Sequence, residues 1–144
     1  MVVDAIKSEY KKYYTLIELA VDQISEDNIH KIFRNDGNSI AIIIRHISGN
    51  LKSRFTNFLT EDGEKIWRNR DTEFESTNES KLTLMTELGK SFKIVYNELG
   101  NLSDDNLNRT ISIRGKALTV IEALERSLAY TAYHTGQVVL MAKF

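Results

Sequence analysis

Two stretches of the chain hold the residue types able to do chemistry. In the last, Thr119 to Phe144, Tyr130 and His134 stand four residues apart, with Ser127 and Gln137 a turn to either side. On a helix, side chains four apart meet on one face. In the other, Ile42, His46, Asn50 and Ser53 recur at intervals of three and four, which again puts polar groups on one helical face. Helical bundles build cofactor and metal sites from such inward side chains on facing helices. The plainer alternative is a pair of core histidines, His46 and His134, hydrogen-bonded to Asn50, Tyr130 or each other. His30, the remaining histidine, lies in SEDNIHKIF with no convergent polar group around it and reads as a surface or capping residue.

Other chemistries drop out. The absence of cysteine excludes disulfides, thiolate metal sites and a cysteine nucleophile, and is compatible with a reducing cytosol. Ser127 is near His134 only along the helix, without the sharp strand-to-helix turn that exposes a nucleophilic serine. Asp104-Asp105 imitates a catalytic carboxylate pair, but caps of this kind in a first turn are far commoner. There is no phosphate-binding glycine loop. A net charge of -1, with both signs scattered, lacks the basic field of a nucleic-acid binder. No stretch approaches the roughly 20 apolar residues of a membrane span, and MVVDAIKSEYKKYY has no signal core. The expectation is a cytoplasmic protein with neither nucleic acid nor membrane as partner.

The elements that must position these residues are helices. With 144 residues, 42% of them hydrophobic, the chain suits one domain, 1–144, and the absence of proline suits long uninterrupted helices. Thr119 with Glu122 has the form of a capping box, and Ile121, Leu124, Leu128, Ala132, Val138 and Met141 follow at helical intervals. A first helix is predicted from about Val3 to Ile24. A second runs from Asn38 or Ser39 to about Leu59; its isoleucine run favours strand, but the pattern continues too long for one. A third runs from about Glu79 to Leu99, capped by Asn78, with Leu82, Met85, Leu88, Phe92 and Val95 on its buried side. Residues 60–77 form a long connector of a length that is more often functional or mobile than plain. In it Trp67 is expected to dock the loop, and Arg68, Arg70 and Asp71 to form surface ion pairs; the alternative for Arg70 or Asp71 is a role at the mouth of a pocket. ISEDNIHK and LSDDNLNR echo each other, as if two helical hairpins ended their first helix with the same turn. Before the last helix, RTISIRGKAL alternates into an Arg114-Gly115 turn and predicts a small β-ribbon. The fold expected is an all-α four-helix bundle with long connections.

NSIAIIIRHISGN, RFTNFLTEDGEK, WRNRDTEF and LAYTAYHTGQVVLMAK, in that order and spacing, resemble the DinB-like (DinB/YfiT-type) metalloenzyme superfamily, in particular a bacterial branch of unknown function. The similarity covers nearly the whole chain. It implies a four-helix bundle, often a homodimer, holding a divalent metal such as zinc, nickel or iron through one histidine of the second helix and a histidine pair on the last. Some relatives are transferases or isomerases dependent on bacillithiol or mycothiol, which implies a small-molecule or thiol substrate. Residue by residue, the ligands fall on His46 and His134, while the first member of the pair falls on Tyr130. Three imidazoles leave an open catalytic position on a metal; two hold it less well, and a phenol is a poor substitute for zinc or nickel, though better for ferric iron. Asn50 or Gln137 would then orient a ligand or a bridging water. Two functions stand: a weakly metal-dependent enzyme of the thiol-transferase kind with a pocket of Tyr130, Asn50 and Gln137, or a metal-free binding or dimeric stress-response protein.

Overall fold

Thr119 and Glu122 close the predicted box. Thr119 Oγ1 accepts from the Glu122 N–H at 3.2 Å, and Glu122 Oε1 accepts from the Thr119 N–H at 3.3 Å. From this start helix α5 runs Val120–Met141 in a computed structural model that describes residues 1–144. The other long helices are α1 (Val2–Asp22), α2 (Ile40–Phe55) and α4 (Lys81–Gly100). Ser39 caps α2, its Oγ accepting from Ile42 N–H at 3.1 Å, so the isoleucine run is helical. The helix stops at Phe55 rather than Leu59 because Asn57, a residue that tolerates the left-handed region, turns the chain at φ 50°. Ser80, not Asn78, caps α4. Leu88, Phe92 and Val95 are buried as expected, but Leu82 lies out of phase with them and is 78% exposed, and Leu84 fills the core at that end.

The bundle is a ring in which α1 packs on α4 and α5, and α2 packs on the same two. Consecutive helices α1 and α2, and likewise α4 and α5, therefore face each other across the diagonal. The two-hairpin reading is corrected accordingly. The echoed segments do form the same structure, 3-10 turns at Asn28–His30 and Asp104–Asn106, and each begins a diagonal crossover. Asp104 is a cap for a different helix: its carboxylate accepts from the N–H groups of Val2 and Val3 at 3.1 and 3.2 Å.

At the centre Tyr10 meets Phe55 and Phe92 edge-on, and its hydroxyl donates to Ser127 Oγ at 2.7 Å, joining α1 to α5. Burial pushes this phenol far above its ordinary pKa, despite the Ser127 contact. The buried face of α5 is small and hydroxylic, with Ser127, Thr131 and Thr135. The two threonines satisfy themselves by donating to carbonyls one turn back.

The expected ribbon is present as β1 (Thr110–Ile113) antiparallel to β2 (Lys116–Thr119). Arg114 and Gly115 both have positive φ, 54° and 75°, as a two-residue hairpin turn of this type requires. Asp62, in the connector, holds the turn: its carboxylate accepts from the Gly115, Glu64 and Arg114 N–H groups and the Ser112 hydroxyl, each within 2.8 Å. These bonds, led by Gly115 N–H, keep the Asp62 carboxyl far below the usual range. A depressed folded pKa stabilises above the unfolded value of about 3.9, and that stability is lost as pH falls below it. Urea unfolding across acid pH should show Asp62→Asn less stable than the parent at neutral pH, with the difference shrinking as pH drops below about 4.

Candidate functional site

Helices α2 and α5 bring the two polar strips together. The rings of His46 and His134 lie 4.9 Å apart, nearly perpendicular, and the Tyr130 ring is 4.7 Å from His134 and 5.9 Å from His46. Asn50 lines a cavity alongside His46 and Tyr130. Gln137 faces the other way and holds His134, its Oε1 accepting from His134 Nδ1 at 2.8 Å. The expected burial holds for His46 but not for Tyr130, which is 42% exposed and sits at the rim. Ser53, on the same strip, serves the scaffold: it donates to the Gly63 carbonyl and accepts from the Lys65 N–H.

Glu73 was not singled out from the sequence, and it completes the arrangement. It ends a one-turn helix, α3 (Arg70–Glu73), inside the long connector. His46 Nδ1 donates to Glu73 Oε1 at 3.0 Å, and Arg68 grips both carboxylate oxygens through Nη2 and Nε at 2.9 and 3.0 Å. The approach depends on Gly49, where an added Cβ would collide with Glu73 Oε2. A glycine inside a helix costs roughly 1 kcal/mol against alanine, so Gly49, three residues after His46, was the available signal of close packing.

The connector departs from expectation in two more respects. Arg68 is not a surface ion pair, since its side chain is 2% exposed. Trp67 is not the docking anchor either: it is half exposed beneath the Lys52 ammonium, 5.4 Å from the ring. Helix α2 does the docking with its own polar side chains. Arg45 donates to the carbonyls of Thr72 and Glu75, Arg54 donates to that of Gly63, and Lys65 reaches back to Ser53 O. Arg70 and Asp71 are exposed, with Arg70 over the Phe74 ring at 5.4 Å.

The electrostatics follow. Burial pushes the Glu73 carboxyl up, but the His46 hydrogen bond and the Arg68 fork and charge outweigh it and leave Glu73 below the usual range. Burial also lowers the His134 pKa, opposed by the Gln137 hydrogen bond and reinforced by nearby His46, so the ring is neutral at pH 7. With its Nδ1 proton given to Gln137, His134 carries a lone pair on Nε2, and that atom is buried without a hydrogen-bond partner. His46 has its Nδ1 given to Glu73, which leaves Nε2 as the ring nitrogen turned to the site. A carboxylate or amide fixing one ring nitrogen while the other is left free is how proteins present metal-binding imidazoles. Two nitrogens are thus prepared for an ion. No group of three His, Asp or Glu side chains converges to hold one, and the third side chain at this point is the Tyr130 phenol.

A ring of four helices with polar strips facing between two of them defines a four-helix-bundle protein. The chain belongs to the family described as "Protein of unknown function (DUF1572)", a DinB-like family, whose pattern it matches over residues 1–144. No curated protein matches the sequence. Among solved structures the fold is similar to that of YfiT from Bacillus subtilis, described as a probable metal-dependent hydrolase with an unusual four-helix bundle topology. The TM-score is 0.72 at 16% identity, over 98% of this chain and 86% of that one. The shared fold includes the long helices whose diagonal order is described above.

Removing Glu73 leaves the buried Arg68 guanidinium without its fork. Glu73→Ala should therefore cost about 3 kcal/mol in urea unfolding, and Gly49→Ala, which displaces the same carboxylate, should destabilise in the same direction.

Proposed function

We propose that this chain binds a divalent metal ion between His46 and His134 and acts on a small molecule in the adjoining cavity. The observation that carries this is the pairing of two imidazoles whose Nδ1 atoms are engaged by Glu73 and Gln137, with His134 Nε2 buried and unsatisfied. An orphaned buried acceptor costs of the order of 1–3 kcal/mol, a penalty that coordination would remove. A divalent ion held here supplies Lewis acidity toward a carbonyl or phosphoryl oxygen.

The protein's own groups have separate tasks. Glu73 fixes the His46 ring and, being anionic, raises its basicity as a ligand. Gln137 fixes the His134 tautomer. Asn50 and Tyr130 border the cavity and offer hydrogen bonds to a substrate beside the imidazoles. The description of YfiT as a probable metal-dependent hydrolase favours hydrolysis as the reaction class. A thiol-transfer reaction, the alternative that the sequence resemblance suggests, needs a thiol brought by the substrate, because the chain has no cysteine.

Tyr130 favours a second reading, a metal-free binding protein. A phenol has an ordinary pKa of about 10 and ligates zinc or nickel poorly while neutral, so affinity is expected to be low or to favour iron.

Elemental analysis of protein purified without an affinity tag separates the two. A stoichiometric metal that disappears in His46→Ala supports the first reading. No metal, even after addition of zinc, nickel or iron, leaves the second. In metal titrations Tyr130→His should raise affinity at least about tenfold, the scale on which even outer groups alter such sites. Unchanged affinity would mean that position 130 does not face the ion.

A further inference from the structure

The cavity beside His46 and Tyr130 has a charge that the chain as a whole lacks. It encloses about 540 Å³, within the roughly 300–1,000 Å³ of small-molecule sites. Arg54, Arg68, Arg70, Arg114, Lys116 and Arg126 line it, against a single lining carboxylate, Glu122. Some of these cations are already answered. Glu64 takes Arg54 at 2.8 Å and Arg114 at 3.4 Å, Glu73 takes Arg68, and Glu122 is engaged by Thr119 in the α5 cap.

Three cations remain unanswered: Arg70 from α3, Lys116 from β2 and Arg126 from α5 face the cavity with no ion pair or hydrogen bond. A fourth donor belongs to the lining residue Arg68. Its Nη1 is ion-paired with Glu64 Oε2 at 3.5 Å but is buried without a hydrogen-bond partner, on a side chain only 2% exposed. Like charges from separate elements around one concavity repel each other, and the field they set up draws an anion. Arginine forks suit oxyanions in particular, because their donors match carboxylate and phosphate geometry.

The remaining wall is apolar, with Phe55, Phe58, Ile113, Leu118 and Ala123. Arg70 lies over Phe74, and Phe74 lies 4.8 Å from the His46 ring, so the cationic end adjoins the imidazoles.

We infer that the cavity binds a small organic oxyanion, a carboxylate or a phosphate monoester, with its anionic end on Arg70, Lys116, Arg126 and Arg68 Nη1 and its apolar body on the phenylalanines. This names the substrate class of the same site and rests on the metal reading for the reaction alone. The anion contacts involve no metal ligand, so binding is measurable on metal-free protein.

The test is calorimetric titration of chelator-treated protein with phenyl phosphate and with benzoate, using benzyl alcohol as the neutral analogue. Saturable binding of one or both anions is expected, with the tighter identifying the headgroup, and with the alcohol at least about tenfold weaker. The double variant Arg70→Gln/Arg126→Gln should weaken the anion at least about tenfold, while Lys93→Gln on the far helix should not. Both altered side chains are exposed and unpaired, so circular dichroism should show the fold kept. No saturable binding of either anion, or binding that the double variant leaves unchanged, overturns the inference. Anion binding without any metal uptake sinks only the metal reading; metal uptake without anion binding sinks only this one.

Discussion

The structure around the site depends on one buried carboxylate. Glu73 stands between an imidazole of α2 and a guanidinium of the connector, with little water to share its charge. Such a group is tolerable only if every lone pair is answered, and here His46 and the Arg68 fork answer them. The consequences run outward. The Arg68 side chain is buried because Glu73 receives it, and the connector is folded because both belong to it. Gly49 has no side chain because the carboxylate occupies that space. His46 has a defined tautomer because its Nδ1 proton has a destination. An ordinary surface ion pair contributes too little to organise so much chain; a desolvated one, once committed, cannot be left half-made.

Two long connections close the site, for different reasons. Helices α4 and α5 lie on a diagonal, so the chain between them cannot return through a tight turn and must cross the end of the bundle, as it must between α1 and α2. Helices α2 and α4 pack directly on each other, and the connector between them is longer than closure requires. Residues 60–77 bring Glu73 and Arg68 to α2, and the β1–β2 hairpin brings Lys116 to the mouth of the cavity. Asp62 ties those two segments to each other through the Gly115 turn. The helices therefore supply the imidazoles, while the connections supply most of the charge.

What could be read from the residues followed this division. Periodic apolar spacing identified the four long helices, and local capping chemistry placed the start of α5 at Thr119 and the ribbon turn at Arg114-Gly115, because those signals act within a few residues. Facing strips on α2 and α5 brought out His46, His134, Tyr130, Asn50 and Gln137. Helix edges moved where competing caps were two residues apart, as at Asn78 and Ser80, and Leu82 was misplaced because it is out of phase with Leu84, Leu88 and Phe92. Glu73 was illegible for a different reason. Within WRNRDTEF every charge looks solvated, and only the tertiary contact with Gly49 and His46 distinguishes the buried Glu73 from the exposed Asp71. The diagonal order was hidden too, since the echoed turns specify how a helix ends and not which neighbour comes next.

The distribution of charge decides what the cavity can select. A net charge of -1 gives the surface no long-range pull on anions, so any preference must come from local geometry. Glu64 and Glu73 neutralise the deeper arginines and make them structural; Arg70, Lys116 and Arg126, farther out, have nothing comparable. Had the connector carried one more carboxylate facing inward, the cavity would be balanced and the apolar wall alone would choose the ligand. Instead, burying an uncharged guest would leave Arg68 Nη1 without an acceptor and push three cations into a drier space, which costs more than a few apolar contacts return. An oxyanion reverses the sign of each of those terms, and the same desolvation that penalises a neutral guest strengthens its hold.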